Sequence, residues 1–440
     1  MPIECQTLRR LTALLLIFSL LACQPATPVL KERPVPDLPD IQAKLAFTCA
    51  YEKDRIPPRD PEAEQLYKHA RWLAKNNILK EDPTVYPSIE RLIRIATAYG
   101  HDKANLELRQ MIGTGQADSD DPVKETLDLT EDLIQRGIPG GYYDMGRYLE
   151  SGYGVKEDPE LALKYYRKAA DLGSPEGQYL IGDKLTDKVK MGEEIAKIGW
   201  QMYRCAAEQG HGNAAKELGI YLASPGSHPE ALIAFQLGVK AGNSGAALSL
   251  QDGFGGPEPT DELNYLGQQK DPERVRRYNV IRNFLGNYDY LNPSVPEIDQ
   301  IVPLPPAKLP PWDGKLQWLE AHKANVPPPL PSEERIAEMA RAKGLEPKTG
   351  RPLATTPQAS PQKPRAAAPV VPLGSQYATG QTCPANGLWT CSVTGQTRAF
   401  HVGQTFPEVA QAIERTVWQK FKGSQETALI ATTWQLTRNT

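Results

Sequence analysis

The stretch that decides the fold runs from Gly140 to Gly173 and reads GGYYDMGRYLESGYGVKEDPELALKYYRKAADLG. Its final glycine belongs to a series of five that divide the middle of the chain at separations of 37, 36, 37 and 32 residues. These anchor glycines are Gly100, Gly137, Gly173, Gly210 and Gly242. Glycine is the preferred residue where a helix ends in the left-handed conformation. We therefore expect a helix to end at each of the five positions.

When the repeats are aligned on the anchor glycines, two further columns of similar residues appear. A small residue stands four positions after each anchor, and a large apolar residue stands eight positions after it. The small residues are Ala104, Gly141, Gly177, Ala214 and Ala246, and the large ones are Leu108, Met145, Ile181, Leu218 and Leu250. Small residues let a second helix approach the first closely, and the apolar residue one turn later fills the gap. Since one such helix pair cannot bury its own apolar face, neighbouring pairs must stack.

The quoted stretch resembles the Sel-1-like repeat, a relative of the tetratricopeptide repeat. The resemblance rests on the loop Gly152-Tyr153-Gly154-Val155, on Asp158 and on the closing Ala-Ala-x-x-Gly. It implies a mainly α fold, a right-handed α-solenoid of helix hairpins, which we expect over residues 41–255. Within that range the apolar spacing also predicts helices over 41–53, 60–78 and 86–98.

The N-terminus predicts export and lipidation. Arg9 and Arg10 precede a short apolar run, and Leu20-Leu21-Ala22-Cys23 follows it and looks like a lipobox. We predict a signal peptide over 1–22, a lipid on Cys23 and a Pro-rich tether over 23–40. Gln24 is not the aspartate associated with inner-membrane retention, so we expect an outer membrane lipoprotein facing the periplasm. An uncleaved signal anchor is the alternative, although the apolar run is about half the length that a spanning helix needs.

Four cysteines remain after the signal peptide and the lipidated residue, which permits three pairings. Cys383 and Cys391 flank the short segment Pro-Ala-Asn-Gly-Leu-Trp-Thr, and we predict that they form a disulfide across a hairpin. Cys49 and Cys205 would be the second pair. They could equally be buried small side chains.

The last 185 residues divide into three parts. Residues 256–345 predict a capping helix, Asp271 to Tyr290, a Pro-rich strap on the solenoid, Pro296 to Pro311, and a short helix, Ser332 to Lys343. The strap resembles an uncharacterised domain found after Sel-1-like repeats. Residues 346–375 predict a disordered linker. Residues 376–440 predict a small mixed module, mostly β, with a helix from Pro407 to Ile413 and a strand from Ala428 to Leu436.

Catalytic and cofactor signatures are missing from the sequence. No nucleophile elbow, phosphate-binding loop or dinucleotide fingerprint occurs, and the six histidines lack metal-ligand spacing. The net charge of -3, with both signs interspersed, argues against nucleic acid as a partner. We therefore expect a protein-binding chain rather than an enzyme, with neither a metal nor a cofactor.

Outward positions of the first helix in each hairpin are where we expect a protein partner to bind. These positions are Tyr143, Asp144, Arg147, Asp183, Lys184, Lys216 and Glu217. The combination of lipobox, Sel-1-like repeats and Pro-rich strap resembles the periplasmic lipoprotein immunity proteins that neutralise phospholipase D-type toxins of type VI secretion. That resemblance implies such a toxin as the partner and a lipid anchor in the membrane. A general envelope scaffold is the alternative function.

Overall fold

The computed structural model describes residues 33–35, 47–186, 192–224, 226–353, 371–400, 404–407, 409–412 and 427–439. The predicted signal peptide, Cys23 and most of the tether and linker lie outside these residues. The chain divides into two compact units, Met1–Leu353 and Ala354–Thr440.

The first unit is a stack of helix hairpins, as predicted. Its described helices are α1 Pro61–Asn77, α2 Tyr86–Ala98, α3 Asp102–Gly113, α4 Pro122–Gln135, α5 Pro139–Ser151, α6 Pro159–Leu172, α7 Pro175–Thr186, α8 Glu193–Glu208, α9 Gly212–Ala223, α10 His228–Lys240, α11 Ser244–Gly253 and α12 Pro272–Asn287. Each odd-numbered helix pairs with the next even-numbered one. We call α3, α5, α7, α9 and α11 the first helices, and α4, α6, α8, α10 and α12 the second helices.

The anchor glycines end helices in the predicted way. All five have φ between 71° and 106°, the left-handed region that side chains disfavour. The residue after the anchor then caps the next helix in four of the five turns. The ring nitrogens Nδ1 of His101 and His211 each accept a hydrogen bond from a backbone N–H at 3.1 Å, and Ser174 and Asn243 do the same through oxygen. One turn therefore ends a hairpin and starts the next.

Close approach between the two helices of a hairpin depends on a glycine in the first helix. Gly146, Gly182 and Gly219 occupy the position after the large apolar column, and each faces an aromatic ring on the second helix. An added Cβ would lie 2.7 Å from Tyr166, 2.8 Å from Tyr203 and 2.6 Å from Phe235, respectively. These distances are too short for any side chain, so the hairpin would have to open.

Gly219→Ala is expected to destabilise the protein by about 1–3 kcal/mol, because the new methyl group meets the buried Phe235 ring. Gly286→Ala in α12 is the control, since its Cβ would meet nothing within 4 Å. That substitution should be neutral or stabilise by about 0.5–1 kcal/mol. Urea unfolding of both variants checks the prediction, and equal midpoints would contradict it.

The predicted helix over 41–53 is wrong in its described part. Residues 47–50 lie in no helix or strand, Tyr51 is extended, and Glu52–Asp54 forms one 3-10 turn. This segment lies against the solenoid instead: the Tyr51 hydroxyl donates to Glu208 at 2.6 Å, and the Glu52 N–H donates to the Gln209 side chain at 2.7 Å. Cys49 and Cys205 are joined by a disulfide, which answers the open question about this pair. Partners on the solenoid therefore replace helical hydrogen bonds in this segment.

The Pro-rich strap lies on α10 and α12, as predicted, but one turn within it is helical. Ile298–Ile301 forms the short helix α13. The prolines around it leave carbonyls without helical partners, and two buried arginines of α12 supply the missing donors. Arg277 donates to the carbonyls of Ile301 and Pro310 at 2.6 and 2.8 Å, and Arg274 donates to those of Pro303 and Ala307 at 3.0 and 2.7 Å.

The segment after the strap then contacts both the last helix of the stack, α12, and the first, α1. Helix α14, Gln317–Ala324, places the Trp318 ring 5.6 Å from Phe284 of α12 and 4.8 Å from the Lys75 ammonium of α1. Asn325, next to this helix, accepts hydrogen bonds from Trp72 and Asn76 at 2.9 and 3.1 Å.

Helix α15 covers the first hairpin of the stack. It spans Glu333–Ala342 and buries Ile336 and Met339 in the same cluster as Leu66 of α1 and Ile93 of α2. This helix matches the predicted bounds closely, but the sequence did not predict its packing partner.

The second unit is a small antiparallel β-sheet module. Its strands are β1 Gln376–Ala378, β2 Gly387–Cys391, β3 Thr397–Phe400, β4 Val409–Ala412, β5 Thr427–Ile430 and β6 Thr433–Asn439, and the main sheet has the order β1-β6-β2-β3. Trp389, Phe406 and Trp434 form its buried core. The helix predicted from Pro407 to Ile413 is wrong, because Val409–Ala412 pairs with Thr427–Ile430 as a second sheet.

The predicted disulfide between Cys383 and Cys391 is also wrong in this structure, where both cysteines are buried and unbonded. The reason lies in the strand pairing. Cys391 ends β2, whose hairpin partner is the following strand β3, and its sulfur faces the Thr432 hydroxyl at 3.4 Å. Cys383 precedes β2 and pairs with Gln404 instead, through its N–H at 2.6 Å. The two cysteines therefore do not face each other across one hairpin.

Candidate partner-binding surface

The first helices expose one continuous set of side chains. Positions four and eight after each anchor glycine are buried, whereas positions six and ten are exposed or half-buried and lie on a different side of the first helix. We call these residues the first-helix face: Leu106, Gln110, Tyr143, Arg147, Tyr179, Asp183, Lys216, Ile220, Leu248 and Asp252. Leu106, Ile220 and Leu248 are 41%, 44% and 38% exposed, although all three are large apolar residues.

Aromatic packing fixes part of this face. The Tyr143 ring lies 5.5 Å from Tyr166, and the Tyr179 ring lies 5.4 Å from Tyr203 and 4.4 Å from His211. Both tyrosines are half-buried, so each presents only part of its ring to solvent. Rigid, partly exposed tyrosines are typical of residues that dominate binding energy, because little side-chain entropy is lost when a partner binds.

Six of the seven predicted contact residues are accessible. Arg147, Asp183 and Lys184 are exposed, and Asp183 accepts a hydrogen bond from the Tyr203 hydroxyl at 3.1 Å. Lys216 and Glu217 are half-exposed and form an ion pair with each other at 2.9 Å. Tyr143 completes the accessible set.

Asp144 is the exception and is not a surface residue. The residue is 7% exposed, and its carboxylate accepts a charged hydrogen bond from Arg109 of α3 at 2.7 Å. Arg109 also bonds Asn105 at 2.9 Å and Tyr148 at 3.1 Å. Asp144 stands seven positions after its anchor, one helical step of about 100° from the first-helix face. That step turns it toward the preceding first helix.

The predicted contact residues did not include Leu106, Tyr179, Ile220 and Leu248, which share this face. The signal was available, because these residues occupy the same two repeat positions as Tyr143 and Arg147.

A polar cleft of about 570 Å³ adjoins the face at the turns between hairpins. Its lining includes Glu176, Gln209, His211, Asn213 and Lys216. Lys216 belongs to both surfaces, so one partner could contact the cleft and the face together. Among the described residues, no group of His, Cys, Asp or Glu side chains could hold a metal ion, and no helix is long and apolar enough to cross a membrane.

Glu52 is a half-buried carboxyl group near these turns. Burial, with the carboxylates of Glu176 and Asp102 nearby, raises the pKa of Glu52 from 4.5 to about 7. Because the folded-state pKa is the higher one, Glu52 contributes stability that is present in acid and is lost as the pH rises through 7.

Glu52→Gln should therefore stabilise the protein by about 2 kcal/mol at pH 8 and change its stability little at pH 5. Thermal or urea unfolding at the two pH values measures the difference. Glu157→Gln, in an exposed loop, controls for the loss of one negative charge. An equal effect of Glu52→Gln at both pH values would show that its carboxylate is not the titrating group.

Comparison with known proteins agrees with this architecture. The Sel1 repeat family matches residues 139–174 and 196–211, and a domain of unknown function, DUF6396, matches residues 246–353. The chain therefore contains Sel1 repeats. No curated protein matches it.

Three solved structures from Pseudomonas aeruginosa are similar to this chain, and each match covers 59% of this chain. PA5086 is 30% identical over 95% of its own chain, with a TM-score of 0.44. The immunity protein Pa5087 is 29% identical over 95%, with a TM-score of 0.45, and the immunity protein PA5088 is 27% identical over 94%, with a TM-score of 0.46. By its sequence identity across nearly all of PA5086, this chain belongs to the same family as PA5086.

Proposed function

We propose that this protein is a periplasmic lipoprotein of the outer membrane that binds and neutralises a phospholipase toxin delivered by type VI secretion. The observation that carries the proposal is its identity with two proteins named as immunity proteins, 29% and 27% along nearly their whole lengths. The lipobox at Cys23 and the resemblance to immunity proteins against phospholipase D-type toxins support the compartment and the class of toxin.

The mechanism is capture by the first-helix face. A stable interface buries about 1,600 Å² in total, an area that stacked hairpins can supply. The bound solenoid then covers the active site of the lipase or blocks its approach to the membrane. Nanomolar binding corresponds to about 12 kcal/mol, so a few anchor residues such as Tyr143 and Arg147 must contribute strongly.

The test is to direct each secreted phospholipase of the same genome to the periplasm, with and without this protein. One of them should be lethal alone and harmless together with it, and the pure proteins should form a complex that stops lipid hydrolysis. Survival that does not depend on this protein, for every phospholipase, would overturn the function.

Charge reversal at Arg147 of the first-helix face and at Lys184, which is next to Asp183 of that face, tests whether this surface is the interface. Arg147→Glu with Lys184→Glu should weaken binding at least about 100-fold, since each buried anchor contributes on the order of 2 kcal/mol. Lys197→Glu makes the same kind of change at an exposed position of the second helix α8 and should alter Kd less than about twofold. If the variant with Arg147→Glu and Lys184→Glu still neutralises the toxin fully, the proposed function stands but this surface is not the interface.

A further inference from the structure

The N-terminal segment is attached to the solenoid at one edge. The Arg33 N–H donates to the Gly154 carbonyl at 3.1 Å, and residue 33 forms a parallel β-bridge with Val155. The Arg33 guanidinium also pairs with Asp128 at 2.7 Å and Glu131 at 3.0 Å on the second helix α4. Gly154 and Val155 lie in the loop that joins the first helix α5 to the second helix α6. The segment is therefore held at the edge where first helices lead into second helices, which we call the loop edge.

This attachment point is closely packed. Gly154 has φ of 66°, and a Cβ there would lie 2.3 Å from Val123 of α4. Val155 is buried, and Val35 packs against the same apolar cluster. The loop that receives Arg33 is therefore fixed on the second helices.

The segment has a second attachment at the opposite edge. Phe47 is buried, Cys49 is bonded to Cys205 near the end of α8, and Gln178 donates to the Ala50 carbonyl at 2.9 Å. Cys205 is close to the turn at Gly210, so this attachment lies at the edge where second helices lead into first helices. We call it the turn edge. The polar cleft of about 570 Å³ lies along it.

Only nine residues, 24–32, separate Cys23 from Arg33. A fully extended chain of that length spans about 30 Å. We propose that the anchored protein faces the membrane with its loop edge and presents its turn edge, with the polar cleft, to the periplasm. This orientation rests on the lipidation of Cys23 in the proposed function. If Cys49 were the first attachment, the tether would be nearly three times as long and would impose no orientation.

The charge of the loop edge shows that the tether, rather than adhesion, would set the orientation. Asp118, Asp120 and Asp121 lie in the loop between α3 and α4, and in the next loop of this edge Glu157 stands beside Lys156, so the carboxylates outnumber the basic residue. These carboxylates do not attract anionic lipid. The orientation should therefore change little between low and high salt, unlike that of a protein held by basic residues.

The experiment uses the full protein, matured from its own signal in a bacterium and reconstituted into vesicles of phosphatidylethanolamine and phosphatidylglycerol. A donor dye is attached at Asp120→Cys on the loop edge or at Asn213→Cys on the turn edge, with Cys383 and Cys391 changed to serine. Energy transfer to an acceptor on the lipid headgroups should be at least twofold more efficient from position 120. Equal transfer from both positions, in protein that floats with the vesicles, would overturn the orientation and leave the lipid anchor standing.

Two variants separate the tether from the charge cluster around it. Arg33→Glu places a carboxylate against Asp128 and Glu131, so it should release the segment. The energy-transfer efficiencies from positions 120 and 213 should then become nearly equal. Lys124→Glu changes the same cluster, because Lys124 pairs with Asp128 at 2.6 Å, but it does not touch the tether. The energy-transfer efficiency from position 120 should therefore remain higher than that from position 213 in Lys124→Glu. Failure of the protein to float, with no acyl groups on Cys23 by mass spectrometry, would refute the anchor and the orientation together, whereas toxin neutralisation in solution would be unaffected.

Discussion

Asp144→Ala is expected to destabilise the protein by about 3–5 kcal/mol. The substitution leaves the Arg109 guanidinium buried between α3 and α5 without its carboxylate, and Asn105 and Tyr148 offer only neutral partners. Breaking one half of a buried ion pair is costly because the remaining charge has lost both water and its counterion. Urea unfolding measures the loss.

Two further variants test whether the cost comes from the orphaned charge. Arg109→Met combined with Asp144→Ala removes both charges and should recover most of the lost stability. Asp120→Ala removes a carboxylate from an exposed loop and should change stability by less than about 0.5 kcal/mol. A single Asp144→Ala variant as stable as Asp120→Ala would mean that Asp144 does not hold Arg109.

Ile336→Asp should detach helix α15 from the first hairpin and cost about 4 kcal/mol or more. Ile336 is fully buried among the side chains of α1 and α2, so the variant loses an apolar contact and also places an unpaired carboxylate there. Limited proteolysis should show new cleavage in the segment that leads into α15, and denaturant unfolding should give a lower midpoint.

Glu338→Ala is the matched control in the same helix. Its side chain is exposed and, among the described residues, its ion pair is with Arg335 at 3.1 Å, so we expect a change below about 1 kcal/mol. Resistance of Ile336→Asp to the protease, at wild-type level, would show that α15 stays docked and that its burial contributes little.

The hairpin stack could be predicted from the sequence because its signals are local and repeated. The anchor glycines and the residues at Ala104, Gly141 and Gly177 recur in register, so each hairpin supports the assignment of the next. Asp144 was misplaced for a definite reason. The repeat pattern separates the side facing the second helix from the side facing solvent, but it does not show which flank touches the neighbouring first helix.

The features that could not be predicted depend on contacts between distant residues. Nothing in Ser332 to Lys343 indicates that Met339 packs beside Ile93, about 250 residues earlier. Likewise, Pro407 to Ile413 is a short apolar run that suits a helix or a strand equally, and its pairing with Thr427–Ile430 decides the outcome. The cysteine pairing failed for the same reason, since it assumed a hairpin at Cys383 that the strand order does not form.

The bridge from α12 through Trp318 to α1 also fixes how many hairpins this protein can contain. In an open array, one more unit adds length and leaves the rest in place. Here an inserted or deleted unit of about 36 residues would carry Lys75 and Asn76 away from Trp318 and Asn325, and the far contacts would break. Descendants of this protein therefore cannot match a changed protein partner by gaining or losing repeats. They must do so by substitution at the exposed positions of a scaffold whose size is constant.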